Sequence, residues 1–247
     1  MAGTLTGANL LARVKDILQD TTSVRWPEAE LLRYINDAQR EIVNYRPESS
    51  ATTSNVQLVT GTKQSLPSGG LRLIKLTRNM SSAASNATGK RAIRIVNVDI
   101  LNTQEPDWND PTVSGDAAHG SVVKHYIFDD DDPRNFYVYP GVANGQNAFV
   151  EIVFSNSPTD LANASATISV DDIYANAIMD YVLFRAYQKD SEYAGNAQRA
   201  GTHYQLFLNC LGQGGNAASM LDPNNDPVSN IGTGAVPQVA QMQQQGR

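Results

Sequence analysis

The chain has 247 residues, 41% of them hydrophobic, and a formal net charge of −6 from 19 basic and 25 acidic side chains. That size supports a sizeable core in one domain or two small ones, and the lone cysteine, Cys210, excludes an intrachain disulfide framework and any zinc site made of cysteines alone. No apolar run approaches the ~20 residues that span a bilayer, the N-terminus lacks a signal-peptide pattern, and no Lys/Arg cluster is denser than Gly89-Lys90-Arg91-Ala92-Ile93-Arg94. A soluble, non-exported protein without tight or sequence-specific DNA binding is therefore expected.

In chain order, Leu10, Val14, Ile17 and Leu18 set helical spacing over Asn9 to Gln19. From Trp26 to Pro47, Leu31, Ile35, Ala38, Ile42 and Tyr45 recur at steps of four and three, one stripe of a helix. Pro27 suits its first turn, Glu28 and Glu30 complement the positive end of its dipole, and Pro47 stops it. The polar residues between, Arg33, Asn36, Asp37, Arg40 and Glu41, predict a solvated face with pairs such as Arg33 with Asp37.

Residues 51–79 predict two or three strands around turns at Gly61-Thr62 and Gly69-Gly70. Ser81 to Lys90 reads as a surface loop or hairpin tip, and Ala92 to Leu101 as part strand, part short helix. Asn102 to Gly120 is a long loop pinned by Trp108. A hairpin follows, from Val122 to Phe128 and from Asn135 to Tyr139 around an aspartate turn, and Asn147 to Ser155 gives a further strand. Asp171 and Asp172 cap a helix that buries Ile173, Ala177, Ile178, Tyr181, Val182, Leu183 and Phe184. Gly195-Asn196 breaks it, and Ala197, Ala200, Tyr204, Phe207, Leu208 and Leu211 define one more helix, expected to end at Gly212 and Gly214-Gly215. The remaining Gly-, Asn-, Pro- and Gln-rich stretch cannot bury enough apolar area to fold by itself.

The fold class is α+β: a four-helix bundle from residues 1–50 and 160–212, an inserted antiparallel β-rich module over 51–159, and an extended or disordered tail over 213–247. Chemistry is sparse. No metalloprotease, nucleophile-elbow, phosphate-loop or dinucleotide motif occurs, and His119, His125 and His203 are scattered. The run Asp129-Asp130-Asp131-Asp132 lacks calcium-loop spacing and reads as a turn before Pro133. Asp107 with Asp110, or Asp171 with Asp172, have loop and cap readings ahead of a glycosidase pair. No catalytic residue, metal or cofactor is assigned.

The order of the blocks carries a resemblance. Leu31-Leu32-Arg33-Tyr34-Ile35-Asn36-Asp37-Ala38-Gln39-Arg40-Glu41-Ile42, Ile93-Arg94-Ile95-Val96 with Pro106-Asp107-Trp108, the hairpin Tyr126 to Pro140, and Asp180 to Asn196 together resemble tailed-bacteriophage head-to-tail adaptor proteins, the connector group that includes podoviral tail tubular proteins. The resemblance spans most of residues 8–212 and implies a structural, non-enzymatic virion protein of the phage neck, assembled in the host cytoplasm. It further implies a homo-oligomeric ring, usually a dodecamer, beneath the portal protein, which contacts the tail nozzle or fibres and lets double-stranded DNA pass without specific binding or a membrane. On that reading Arg33, Asp37, Arg40, Glu41, Arg185, Tyr187 and Lys189 are the candidate assembly residues, and Val236, Val239 and Met242 the candidate portal contacts in the tail. A tail-associated cell-wall hydrolase and a sugar- or cation-binding β module are the alternatives.

Overall fold

The computed structural model describes residues 4–115, 118–190, 192–193 and 195–221, from 213 onward by backbone alone. Helix α1 (Gly7–Leu18) starts at Thr6, whose hydroxyl accepts the Asn9 N–H at 3.4 Å, and buries Leu10, Leu11, Val14 and Leu18. Ile17, expected on the same stripe, is half exposed. Asp20 organises the next turn: its carboxylate accepts the backbone N–H groups of Val24, Arg25 and Trp26, each at 2.9 Å. Those bonds, that from Trp26 first, hold its pKa below the usual carboxylate value.

Helix α2 (Glu28–Tyr45) follows Pro27 directly, and of the predicted stripe Leu31, Ile35, Ala38 and Ile42 are buried while Tyr45, in the last turn, is half exposed. Asn36, expected on the solvated face, is also buried, and so is Gln39. They are polar because a loop crosses them. Asn36 accepts the Leu161 N–H at 2.8 Å, and Gln39 accepts the Ser169 N–H at 2.6 Å, satisfying backbone donors that have no strand or helix to join.

Helices α3 (Val98–Gln104), α4 (Ala175–Lys189) and α5 (Asn196–Leu221) complete the helical set among the described residues. Residues of α1, α2, α4 and α5 share one core, joined by Leu161, Ile168 and Val170. The α4–α5 break falls at Gly195, whose φ of +88° only glycine adopts without strain. Two expectations fail here. Ile173 sits in a single 3₁₀ turn before α4 and is 74% exposed. Helix α5 also runs through Gly212, Gly214 and Gly215 to Leu221, since a glycine ends a helix only by turning left-handed. Ala217, Ala218, Met220 and Leu221 beyond it are helix formers. Residues 222–247 lie outside the described residues.

Among the described residues the middle of the chain forms eight strands: β1 (Ala51–Gln57), β2 (Gly61–Ser65), β3 (Gly70–Met80), β4 (Gly89–Ala92), β5 (Arg94–Ile95), β6 (His125–Phe128), β7 (Asn135–Val142) and β8 (Phe149–Asn156). They make two four-stranded sheets, ordered β1-β8-β3-β4 and β2-β7-β6-β5. A second core lies between them, with Leu73, Leu76, Val150, Ile152 and Phe154 from one sheet meeting Tyr126, Phe136, Val138 and Val142 from the other. Neighbouring strands β1 and β2 belong to different sheets, so the Gly61 turn switches sheets and closes no hairpin. The chain switches again at buried Ile93, between β4 and β5, and this forces one exception to the antiparallel expectation: β5 pairs parallel with β6.

The predicted hairpin is β6 with β7, in register from His125 opposite Tyr139 to Phe128 opposite Phe136. Its alternation serves two layers. Phe136 and Val138 enter the intersheet core, while Tyr137 and Tyr139 face a third cluster with Leu101, Ile127 and Trp108. Trp108 pins the long loop as expected: it is 3% exposed, stands edge-on to Tyr137 at 6.0 Å, and donates its indole N–H to Asn102 at 2.8 Å.

Candidate functional site

The candidate assembly residues of α2 and α4 fall into three groups. Arg40 is held within the chain, by Asp37 at 3.1 Å and by the Asp160 carboxylate at 2.6 Å, so Asp37 pairs one turn onward and not with Arg33. Lys189 is also held, by Glu30 at 2.7 Å, and Tyr187 is buried against the His203 ring at 5.7 Å. Arg185 lies over the Tyr34 ring at 5.6 Å. Arg33, exposed, and Glu41, half-buried, make no ion pair among the described residues. Val236, Val239 and Met242 lie outside the described residues.

A polar chain runs along the α2–α4 seam. Lys189 donates to one oxygen of Glu30, and the Tyr34 hydroxyl donates to the other at 2.7 Å. Burial, then the bond to Glu30, pushes Tyr34 up to about 12, and the Lys189 hydrogen bond holds Glu30 below its ordinary value. A carboxylate depressed on folding adds stability that is complete above its unfolded pKa and is lost as pH falls through its folded one. Glu30→Gln is therefore expected to lower stability by about 1 kcal/mol at pH 7 and to flatten the loss below pH ~4.5, read from urea midpoints across that range.

Elsewhere the tempting groups have structural employment. Asp130 pairs with Arg72 at 2.8 Å, Asp132 with Lys63 at 3.8 Å and Asn135 at 2.9 Å, and Asp129 accepts the Asp131 N–H at 3.0 Å. Asp171 accepts the Ile173 N–H, and Asp172 gathers the Thr4 hydroxyl at 2.6 Å with the N–H groups of Thr4 and Leu5. Asp110 accepts the N–H and hydroxyl of Thr112. The pKa of Asp110 is lowered, first by the Thr112 N–H, and that of Asp172 first by the Thr4 hydroxyl. A general acid for glycoside cleavage needs the opposite displacement. His203 bonds to Asp180 at 2.9 Å, His119 packs on Gly141, and His125 lies on β6. Among the described residues no three His, Cys, Asp or Glu side chains converge as metal ligands, and no helix is long and apolar enough to cross a membrane.

Among protein families, the model of the SU10 adaptor protein family matches residues 5–227, both cores included. No curated protein matches the chain.

Proposed function

The chain belongs to the SU10 adaptor protein family, which makes it a phage adaptor and a structural protein of the virion neck, and from that premise we propose that it is the subunit of a ring joining the portal to the tail and forming part of the DNA ejection channel. What supports the reading is the continuity of the family match across helical and β cores alike. A closed ring needs a heterologous interface, one face of each subunit meeting a different face of its neighbour. In this reading residues 1–50 and 160–212 act as the helical body, a four-helix bundle, and 51–159 as an inserted module that meets the nozzle or fibres. The tail proposed over 213–247 contacts the portal through Val236, Val239 and Met242. The net charge of −6 suits a wall past which phosphates move without sticking.

Particle size and negative-stain images, taken with and without portal, test this. Rings, dodecameric on the family resemblance, are expected at least in the presence of portal. Arg33→Glu combined with Glu41→Arg is expected to weaken ring formation at unchanged unfolding midpoint, because neither side chain has an ion-pair partner within the described chain. A protein that stays monomeric with portal present would refute the proposal.

A further inference from the structure

The switch of the chain between sheets places cations from both at one end of the sandwich. Arg91 lies on β4 in one sheet, Ile93 is buried between the sheets, and Arg94 opens β5 in the other. The frame is rigid: the Ile93 N–H bonds the Thr77 carbonyl at 3.1 Å, the Arg94 N–H bonds the Lys124 carbonyl at 3.3 Å, and the Arg91 carbonyl accepts the side-chain N–H of buried Asn79 at 3.0 Å. Between these segments is a cleft of about 360 Å³, lined by Arg91, Ala92, Arg94, Lys124 and His125. Three of its five walls are cationic in a chain whose net charge is −6.

Arg91 and Arg94 are exposed and form no ion pair among the described residues, so their guanidinium forks are not already committed to carboxylates. His125 adds a polar atom without an assignment: its Nδ1 is buried and has no hydrogen-bond partner. Burial first, then the charges of Arg91 and its neighbours, holds the imidazole pKa below its ordinary value, as a positive local potential requires. A cavity with cationic walls, free guanidinium donors and an unbonded imidazole nitrogen matches a tetrahedral oxyanion, whose oxygens accept paired N–H bonds from arginine.

We propose that this cleft binds a phosphate-class anion, clasped by Arg91 from one sheet and Arg94 from the other. The anion is a free phosphate or a phosphodiester of duplex DNA. The proposal does not depend on the number of subunits in any ring.

The test uses the full chain, with inorganic phosphate followed by calorimetry and by the His125 ring resonances, and a short labelled DNA duplex followed by fluorescence anisotropy. Arg91→Gln with Arg94→Gln is expected to weaken binding roughly tenfold and to reduce the salt slope for DNA by about 1 to 2. Arg94→Lys, which keeps charge and loses the fork, should fall between, and it serves as the readout if the double variant folds poorly. Saturation by inorganic phosphate with a His125 shift identifies a free-phosphate site; duplex binding that phosphate competes away identifies the phosphodiester. Binding of neither probe overturns the proposal. An equal loss from Arg13→Gln, an exposed cation on α1, also overturns it, because the attraction would then be diffuse.

Discussion

Phe207→Ala is expected to cost about 3 to 5 kcal/mol of folding stability, the range for removing a fully buried aromatic side chain with incomplete collapse of the space left behind. Phe207 is 0% exposed and sits where three elements meet. Its ring is edge-on to Tyr181 of α4 at 5.3 Å and to Tyr45 of α2 at 6.4 Å, and it stacks on Tyr204 of its own helix at 6.1 Å. The substitution thus removes apolar burial and several ring–ring contacts, each worth ~0.5–1.5 kcal/mol beyond area. Arg46 of the segment after α2 also donates to the Leu211 carbonyl at 2.6 Å, so α5 is tied to α2 by a polar contact that a loosened helix would strain. Urea unfolding gives the measurement, with Leu206→Ala as reference: Leu206 is 46% exposed one residue away and should cost well under the buried value. Equal costs for the two variants would show that α5 is not part of the cooperative core.

Asn79→Ala is expected to cost about 2 to 4 kcal/mol, through unsatisfied polar groups and not through volume. Asn79 is 2% exposed on β3, and its amide makes three bonds: to the Arg91 carbonyl at 3.0 Å, to the Val123 carbonyl at 2.8 Å, and from the Val123 N–H at 2.9 Å. Val123 belongs to no strand and is 1% exposed, so water does not replace the lost amide there. Asn79→Asp keeps the acceptor and loses both donors, setting a carboxylate against two carbonyls; it should be at least as damaging at pH 7. Hydrogen exchange separates this cause from a general loss of stability, since the Val123 amide should lose protection well beyond that of the β8 amides. Val123 protection that falls only in step with β8 would remove the amide bridge from the account.

Much of this architecture was legible because burial imposes a period. The stripe of Leu31, Ile35, Ala38 and Ile42, the Gly195 break, the β6–β7 hairpin around its aspartates and the pinning role of Trp108 all stand where residue spacing put them. Spacing misled where a third element intervened. Asn36 and Gln39 look like solvent-facing residues on an isolated helix and are buried only because the 157–170 loop brings backbone N–H groups to them. Gly212 looks like a stop, but nothing local makes a glycine leave the helical well. All of the candidate assembly residues but Tyr187 are charged. Charge does not reveal whether a partner is already supplied from a distant segment, as Asp160 is for Arg40 across 120 positions and Glu30 for Lys189 across 159.

By itself the sequence determined most of the helical and extended segments, the α+β class, the scarcity of catalytic motifs and, through a resemblance carried by the order of its blocks, the adaptor family. The segments and the class follow from local propensity and periodicity, which act over a few residues, and the family from the resemblance of the ordered blocks. Only the tertiary structure decided which strands pair, since β1 and β2 part to different sheets, which charges are left over, and that Arg91 and Arg94 flank a single cleft. Those outcomes depend on contacts between residues far apart in the chain, and no period in the sequence encodes them.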